Sequence, residues 1–205
     1  MISLLYILLD EEKYIERSIN SVKDVVDEIV IVDAFSSDKT ADICSSFGAV
    51  VVKEKWRHDF SHARNLGISH CKHPWILSLD ADEHLEGENI NLIPHAIAHE
   101  SDENLVAWEF PRKNHYPSHD PDSPFFGPPF YPDFQIRLFR NLPDIFYSGS
   151  VHEGLRQSID CKEQWWIGRI SVHIHHHMFR GDKEGFEKVK GEYYSNITKG
   201  VYDGK

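Results

Sequence analysis

Twice in its first half the chain runs through a short apolar stretch of strand length that stops at an aspartate. Ile29-Val30-Ile31-Val32 stops at Asp33, and Trp75-Ile76-Leu77-Ser78-Leu79 stops at Asp80. Two further runs, Leu4 to Leu9 and Val50 to Val52, have the same strand character. Patterns of helical period lie between them. Glu11 to Val26 places Ile15, Ser18, Ile19, Val22 and Val26 at helical spacing. Ser37 or Asp38 suits the cap of a second helix with Thr40, Ile43, Cys44 and Phe47 on its apolar face and Gly48 at its stop. Ser61 or His62 opens a third helix with Ala63, Leu66 and Gly67 inward, and Pro74 breaks it. Strands separated by helices predict a parallel, three-layer α/β sheet. In such a sheet ligands bind beyond the carboxyl ends of the strands, which is where both aspartates fall.

The second half reads differently. Seven of the ten prolines lie between Pro111 and Pro132, interleaved with Tyr116, Phe125, Phe126, Phe130 and Tyr131, and Phe134 follows. This is the pattern of a long, functional loop rather than of disorder, and it is expected to border the acceptor side of a cleft. Gln135 to Phe139, Ser150 to Leu155 and Ile170 to His175 read as strands, and Lys183 to Lys199 as a terminal helix. The chain is expected to form a single domain over residues 1–205, with a ligand-binding half at 1–110 and an acceptor and catalytic half at 111–205. The ending Gly204-Lys205 also suits one module of a longer protein.

Charge and cysteine usage narrow the partners. With 22 basic and 33 acidic side chains the formal net charge is -11. That excludes a general nucleic-acid binder and gives no support for docking on anionic lipid. No apolar stretch reaches the ~18 residues that span a bilayer. The first ten residues lack a basic n-region and read as a core strand, not a signal peptide. Cys44, Cys71 and Cys161 fit reduced, buried thiols in a cytoplasmic protein. The sequon Asn196-Ile197-Thr198 is therefore expected to be coincidental.

The acidic loops carry the chemistry. Asp80-Ala81-Asp82-Glu83 sets two carboxylates one residue apart just past a buried strand, and Asp33-Ala34-Phe35-Ser36-Ser37-Asp38 follows a neighbouring one. Carboxylates at this spacing can share a hard divalent cation, Mn²⁺ or Mg²⁺, and leave positions for water and phosphate oxygens. A departing diphosphate needs that neutralising charge.

These segments resemble, in series, a family 2 glycosyltransferase. Asp10-Glu11-Glu12 after the first strand is similar to the family's Asn-Glu-Glu start. Ile29 to Thr40 resembles its strand and Asp-Ser-Gly-Ser-Thr-Asp-Gly-Thr, with Ala34, Phe35 and Lys39 in place of small residues. Ala63-Arg64-Asn65-Leu66-Gly67 resembles its Ala-Arg-Asn-x-Gly segment, and Leu77 to Glu83 its Asp-x-Asp motif. Gln135 to Arg140, Gly149-Ser150-Val151-His152-Glu153 and Ile174 to Phe179 resemble a branch with bacterial lipopolysaccharide-core glucosyltransferases. The likeness covers residues 2 to 180.

The resemblance implies a GT-A fold: a Rossmann-like three-layer sandwich with a mostly parallel central mixed sheet and a smaller acceptor-side β and loop region. It implies an inverting transfer of a hexose from a UDP-sugar, UDP-glucose first, to a glycan or glycoconjugate hydroxyl. Asp33 would contact uracil or ribose, and Arg64 the base or diphosphate. Asp80, with Ala81, would sit at the ribose or at the water of the metal, and Asp82 would ligate the metal directly. For Arg64 an ion pair with Asp33 or Asp80 stays open, and Asp38 reads better as a helix cap.

His173, His175 and His177 would point to one side of a strand and His176 to the other. The family match puts His176 first and His175 second as a metal or diphosphate contact. The base for the acceptor hydroxyl is expected to be Glu153, with Asp133 its rival. A salt-bridged structural role for Glu153 stays open. Trp165 and Trp166 could add sugar-facing surface. The other readings are a nucleotidyltransferase, disfavoured by the acidic Asp10-Glu11-Glu12 where a Gly-rich phosphate loop belongs, and a non-catalytic nucleotide-sugar or carbohydrate-binding module.

Overall fold

The structure is a computed structural model, and it describes residues 1–115 and 131–177. Four strands come first: β1 (Ile2–Leu8), β2 (Glu28–Asp33), β3 (Val50–Lys53) and β4 (Trp75–Ser78). They lie parallel in the order β3-β2-β1-β4. Three helices connect them: α1 (Ile15–Val22), α2 (Thr40–Ser46) and α3 (Phe60–His70). Ile15, Ile19 and Val22 of α1 and Cys44 of α2 join Leu4, Tyr6 and Leu8 of β1 in one buried cluster. Leu5 and Val30, on the other face of the sheet, pack with Cys71 at the end of α3. A strand buried on both faces has no room for polar alternation, which is why the apolar runs are nearly continuous.

The sheet does not stop at β4. Beyond it lie β7 (Asp133–Arg140), β6 (Leu105–His115), β9 (Ile174–His177) and β5 (Glu83–Leu85) in that order, and β8 (Trp166–Arg169) pairs with β6. Pairing turns antiparallel at β4–β7, β6–β7 and β5–β9. Strand β5 follows β4 almost at once in the chain, through a turn in which the Glu83 N–H donates to the Asp80 carbonyl at 2.9 Å. Yet four pairings separate the two strands in the sheet, about 19 Å if it were flat. The sheet therefore curls, and Asp80-Ala81-Asp82 lies in the crook. Two short helices, α4 (Leu92–Ala98) and α5 (Arg156–Asp160), complete the layers. Among the described residues no helix is long and apolar enough to cross a membrane.

Several expectations are corrected. The first helix ends at Val22 and gives way to a single 3₁₀ turn, Lys23–Val25. Helix α3 is capped by Asp59, whose Oδ1 accepts from the His62 N–H at 3.0 Å, not by Ser61 or His62. The segment Ser150 to Leu155 is no strand. Ser148 and Gly154 exchange backbone hydrogen bonds across a tight loop, with Gly149 at φ 96 and His152 at φ 56. Left-handed positions end extended structure. Of Ile170 to His175, only the last two residues enter β9. Pro111 belongs to β6, which runs on to His115, and residues 116–130 of the loop lie outside the described residues. So does the expected helix Lys183 to Lys199. Cys161 is exposed, whereas Cys44 and Cys71 are buried.

Gly67 shows how tightly α3 sits. A Cβ there would run into the side chains of Leu5 on β1 and Val32 on β2. Gly67→Ala should cost about 1–3 kcal/mol, the typical range for overpacking. Chemical denaturation should register this as a lower midpoint with an unchanged slope.

Candidate functional site

The carboxyl ends of β1 and β2 are tied together by side chains. Asp10 Oδ1 accepts from the Ser37 N–H at 2.6 Å, and Glu12 Oε2 accepts from the Lys39 N–H at 3.1 Å. In return, the Glu11 N–H donates to Thr40 Oγ1 at 2.7 Å and the Glu12 N–H to Asp38 Oδ2 at 3.0 Å. The acidic segment after β1 is thus the anchor of the loop after β2. Asp38 also accepts from the Thr40 N–H at 2.9 Å, but the N-cap of α2 is Lys39 and carries no side-chain cap, not the expected Ser37 or Asp38. Asp33 is fully buried; Ser36 donates to one of its oxygens through its N–H and hydroxyl, and Lys53 pairs with the other. Phe35 holds a left-handed φ of 65 and is exposed. Its place in the motif is the family's glycine, the residue that adopts this φ without strain.

A cleft of about 180 Å³ opens beside this loop, lined by Leu8, Val32, Ala34, Trp56, Phe60 and Ala63 among others. Trp56 and Phe60 meet edge to face with centroids 4.7 Å apart. The flat apolar wall suits a ring, and concave sites of this character commonly take small ligands.

At the crook of the sheet the charges form a continuous alternating chain. Glu153 Oε1 accepts from Arg64 Nε at 2.7 Å, and Arg64 also donates to Asp80 Oδ1 at 2.6 Å. Asp80 Oδ2 accepts from Arg137 at 2.8 Å, and the same Arg137 nitrogen reaches Glu83 Oε1 at 2.6 Å. Arg112 lies 3.3 Å from Glu83 Oε1 and 2.5 Å from Asp133 Oδ2. Both expected base candidates therefore stand at the two ends of one network, with Asp80 near its middle. Arg64, Arg137 and Glu83 are buried. Burial alone would raise the Asp80 carboxyl, but the guanidiniums of Arg137 and Arg64 outweigh it and hold Asp80 well below the usual carboxylate range. At Asp133 burial is likewise overcome, by Arg112, and the carboxyl is lowered.

The Ala-Arg-Asn-x-Gly segment explains itself in these terms. Arg64 points into the network, and Gly67 lets α3 approach β1. Asn65 donates to the Tyr147 carbonyl at 2.9 Å and accepts from the Tyr147 N–H at 2.8 Å. That pair holds the start of the tight loop that presents Glu153, and the Phe60 N–H donates to the Ser150 carbonyl at 3.1 Å from the other side.

Asp82 faces β9. Its Oδ2 lies 3.7 Å from His176 Nε2. That is beyond hydrogen-bond reach, yet it is the separation of two ligands about 2.1 Å from one cation. Asn114 Oδ1 is 2.8 Å from His176 Nδ1 and fixes the ring from behind. The separation of Asp82 and His176 would admit a divalent ion between them. His175 is not part of this pair: it faces the other side of the sheet, next to His84 and Glu86. Trp165 and Trp166 line a separate hollow with Glu109, Arg156 and Arg169. Glu83, Arg112, Arg137 and Asn65 carried no expected role, although Glu83, Arg137 and Asn65 lie in segments matched to the family.

A model of the family described as glycosyl transferase family 2 matches residues 3–159. The SPbeta prophage-derived glycosyltransferase SunS of Bacillus subtilis is 34% identical over 152 residues, covering 72% of this chain and 33% of SunS. The chain spans only about a third of the length of the curated relatives it matches. Glucosyl-3-phosphoglycerate synthase of Mycobacterium tuberculosis, solved with Mn²⁺ and UDP-glucose, has a TM-score of 0.61 at 16% identity, over 99% of this chain and 80% of that one. The mannosyltransferase PcManGT of Pyrobaculum calidifontis, solved with GDP-Man and Mn²⁺, has a TM-score of 0.65 at 14% identity, over 100% of this chain and 65% of that one. At such identities the likeness establishes the fold, a GT-A α/β sheet.

Arg137 balances the fully buried Glu83 and the partly exposed Asp80, so Arg137→Met should destabilise by about 3–5 kcal/mol at neutral pH, as when one partner of a buried pair is removed. The pH dependence follows from Asp80. Its folded pKa is depressed, so its stabilising contribution is complete above the unfolded value near 3.9 and is lost as pH falls through the lower folded value. The deficit of the variant should therefore shrink below about pH 4, which denaturation midpoints measured between neutral and acid pH will show.

Proposed function

The chain belongs to glycosyl transferase family 2, and from that premise we propose that it is the catalytic module of a metal-dependent inverting hexosyltransferase. Its donor is a UDP-sugar, UDP-glucose first, and its acceptor a hydroxyl of a glycan or glycoconjugate. The observation that carries the reading is the pairing of Asp82 with His176 across 3.7 Å, beside an Asp80 held ionised by two buried arginines. The solved neighbours crystallised with Mn²⁺ and a nucleotide sugar support it.

In this reading the base and ribose enter the cleft walled by Trp56 and Phe60, next to Asp33. Lys53, itself partly exposed, covers the Asp33 carboxylate and moves aside or turns to the diphosphate. Asp82 and His176 hold Mn²⁺ or Mg²⁺, which neutralises the charge of the departing diphosphate when bound. Arg64 and Arg137 fix Asp80 so that no reorganisation is needed when the donor arrives.

Glu153 takes the proton of the acceptor hydroxyl as that oxygen attacks the anomeric carbon from the face opposite the diphosphate. Two features favour it over Asp133. Glu153 is presented by a tight loop anchored at both ends, whereas Asp133 has both oxygens engaged, by Arg112 and by Gln135 at 2.7 Å.

Calorimetry should show UDP-glucose binding that requires Mn²⁺, is lost in chelator or in Asp82→Ala, and exceeds that of GDP-sugars. Transfer by the chain in excess chelator would defeat the metal reading, and tighter binding of GDP than of UDP the nucleotide reading.

Glu153→Gln keeps size and a hydrogen-bond acceptor for Arg64 but removes basicity. It should lower kcat by about 10²–10⁴-fold, the usual worth of a general base, with donor affinity nearly unchanged. A parallel fall in donor affinity would mark Glu153 as an organiser of Arg64 instead. Retention at the anomeric carbon, read by NMR of the product, would rule out single displacement.

A further inference from the structure

Strand β9 presents histidines to both faces of the sheet, and the face turned away from Asp82 has a constellation of its own. Antiparallel pairing sets Glu83 opposite His176 and His84 opposite His175. Parallel pairing with β6 sets Asn114 beside His176 and His115 beside His177. Successive residues alternate in direction, so His84, His115, His175 and His177 gather on the face that Asp82 and His176 do not use. Their rings confirm it: His84 stacks on His177 at 5.1 Å, and His115 on His175 and His177 at 5.0 and 4.9 Å.

We propose that this face carries a second metal site, ligated by His84 Nε2, Glu86 and His175 Nε2 and suited to zinc or a similar transition ion. The three ligand atoms lie within 4.8 Å of one another. Glu86 Oε1 is 2.7 Å from His84 Nε2, and Glu86 Oε2 is 3.9 Å from His175 Nε2. His175 Nδ1 is 2.8 Å from His115 Nε2, which directs the other nitrogen of the ring toward Glu86. Outer partners of this kind orient ligating imidazoles. Two imidazoles and one carboxylate form a zinc set with a fourth position open, and His177 stands beside it. Nitrogen-rich ligation selects this class of ion over Mg²⁺.

Two cations face the cluster. Lys113 lies beside His175 in the register of β6 and β9. Arg17, from α1, donates to His84 Nε2 at 2.6 Å, to His177 Nε2 at 3.1 Å and to Glu86 at 3.1 Å. Its guanidinium therefore stands where lone pairs from three side chains converge, and metal and Arg17 compete for one place. Half of the Arg17 side chain is exposed, so it can swing into water. The ion would tie β5 to β9, the two strands that flank Asp82 and His176.

The test uses the tag-free chain, stripped with chelator and titrated with Zn²⁺ by calorimetry and with Co²⁺ by visible absorption, in saturating Mg²⁺. The expected result is saturable zinc binding with tetrahedral cobalt bands. Glu86→Gln with His175→Gln should weaken it at least about tenfold, whereas Asp82→Ala should leave it unchanged. Arg17→Ala, an exposed change that spares the fold, should tighten zinc by about tenfold or more, the worth of a charged hydrogen bond. Circular dichroism confirms that each variant is folded. The site is overturned if zinc binding survives Glu86→Gln with His175→Gln, if it disappears with Asp82→Ala, or if Arg17→Ala weakens it.

Discussion

The arrangement depends on one constraint: the partly exposed Asp80 must stay ionised beside a fully buried Glu83. Burial works against the charged form of a carboxyl in that crook. Two guanidiniums outweigh it, and each reaches Asp80 from a different direction. Arg64 comes from a helix in the first half of the chain, and Arg137 from a strand in the second. The electrostatic requirement of one side chain thereby ties the parallel strands of the first half to the strands that carry Asp133 and His176. Because each arginine touches two acids, the network has little freedom to rearrange one member alone.

The same network explains what was legible from sequence and what was not. Asp33 and Asp80 announce themselves because a buried parallel strand leaves a contiguous apolar run, and the polar residue that ends it stands out. Arg64 is found through the segment that surrounds it. Arg112 has no such signature, and the matched segment around Arg137 does not say that its side chain reaches Asp80. Locally each is an arginine in a strand of mixed polarity. Only the pairing of β4 with β7, in which Leu77 meets Leu138, brings Arg137 over Asp80. Long-range strand register of this kind leaves no local pattern.

The segment Ser150 to Leu155 misled for the opposite reason. Its residues suit a strand, but Gly149 and His152 both adopt left-handed φ, and the backbone turns back on itself. That turn is what brings Glu153 to Arg64. The histidine tract was read correctly as far as periodicity goes, in that neighbours alternate faces. Which face meets Asp82 is decided by β5, three residues long and invisible as a strand on its own.

One further consequence follows from the tract Ile174-His175-His176-His177. A strand that slips by one residue normally turns its inward set outward, and the error is lethal to the fold. Here a slip in either direction would still present an imidazole toward Asp82. The histidines consequently carry no information about their own alignment. That information rests with Ile174, which is wholly enclosed and pairs with Leu85 on one side and Arg112 on the other. An aliphatic side chain with no chemistry of its own is thus the vernier that decides which nitrogen faces which side of the sheet.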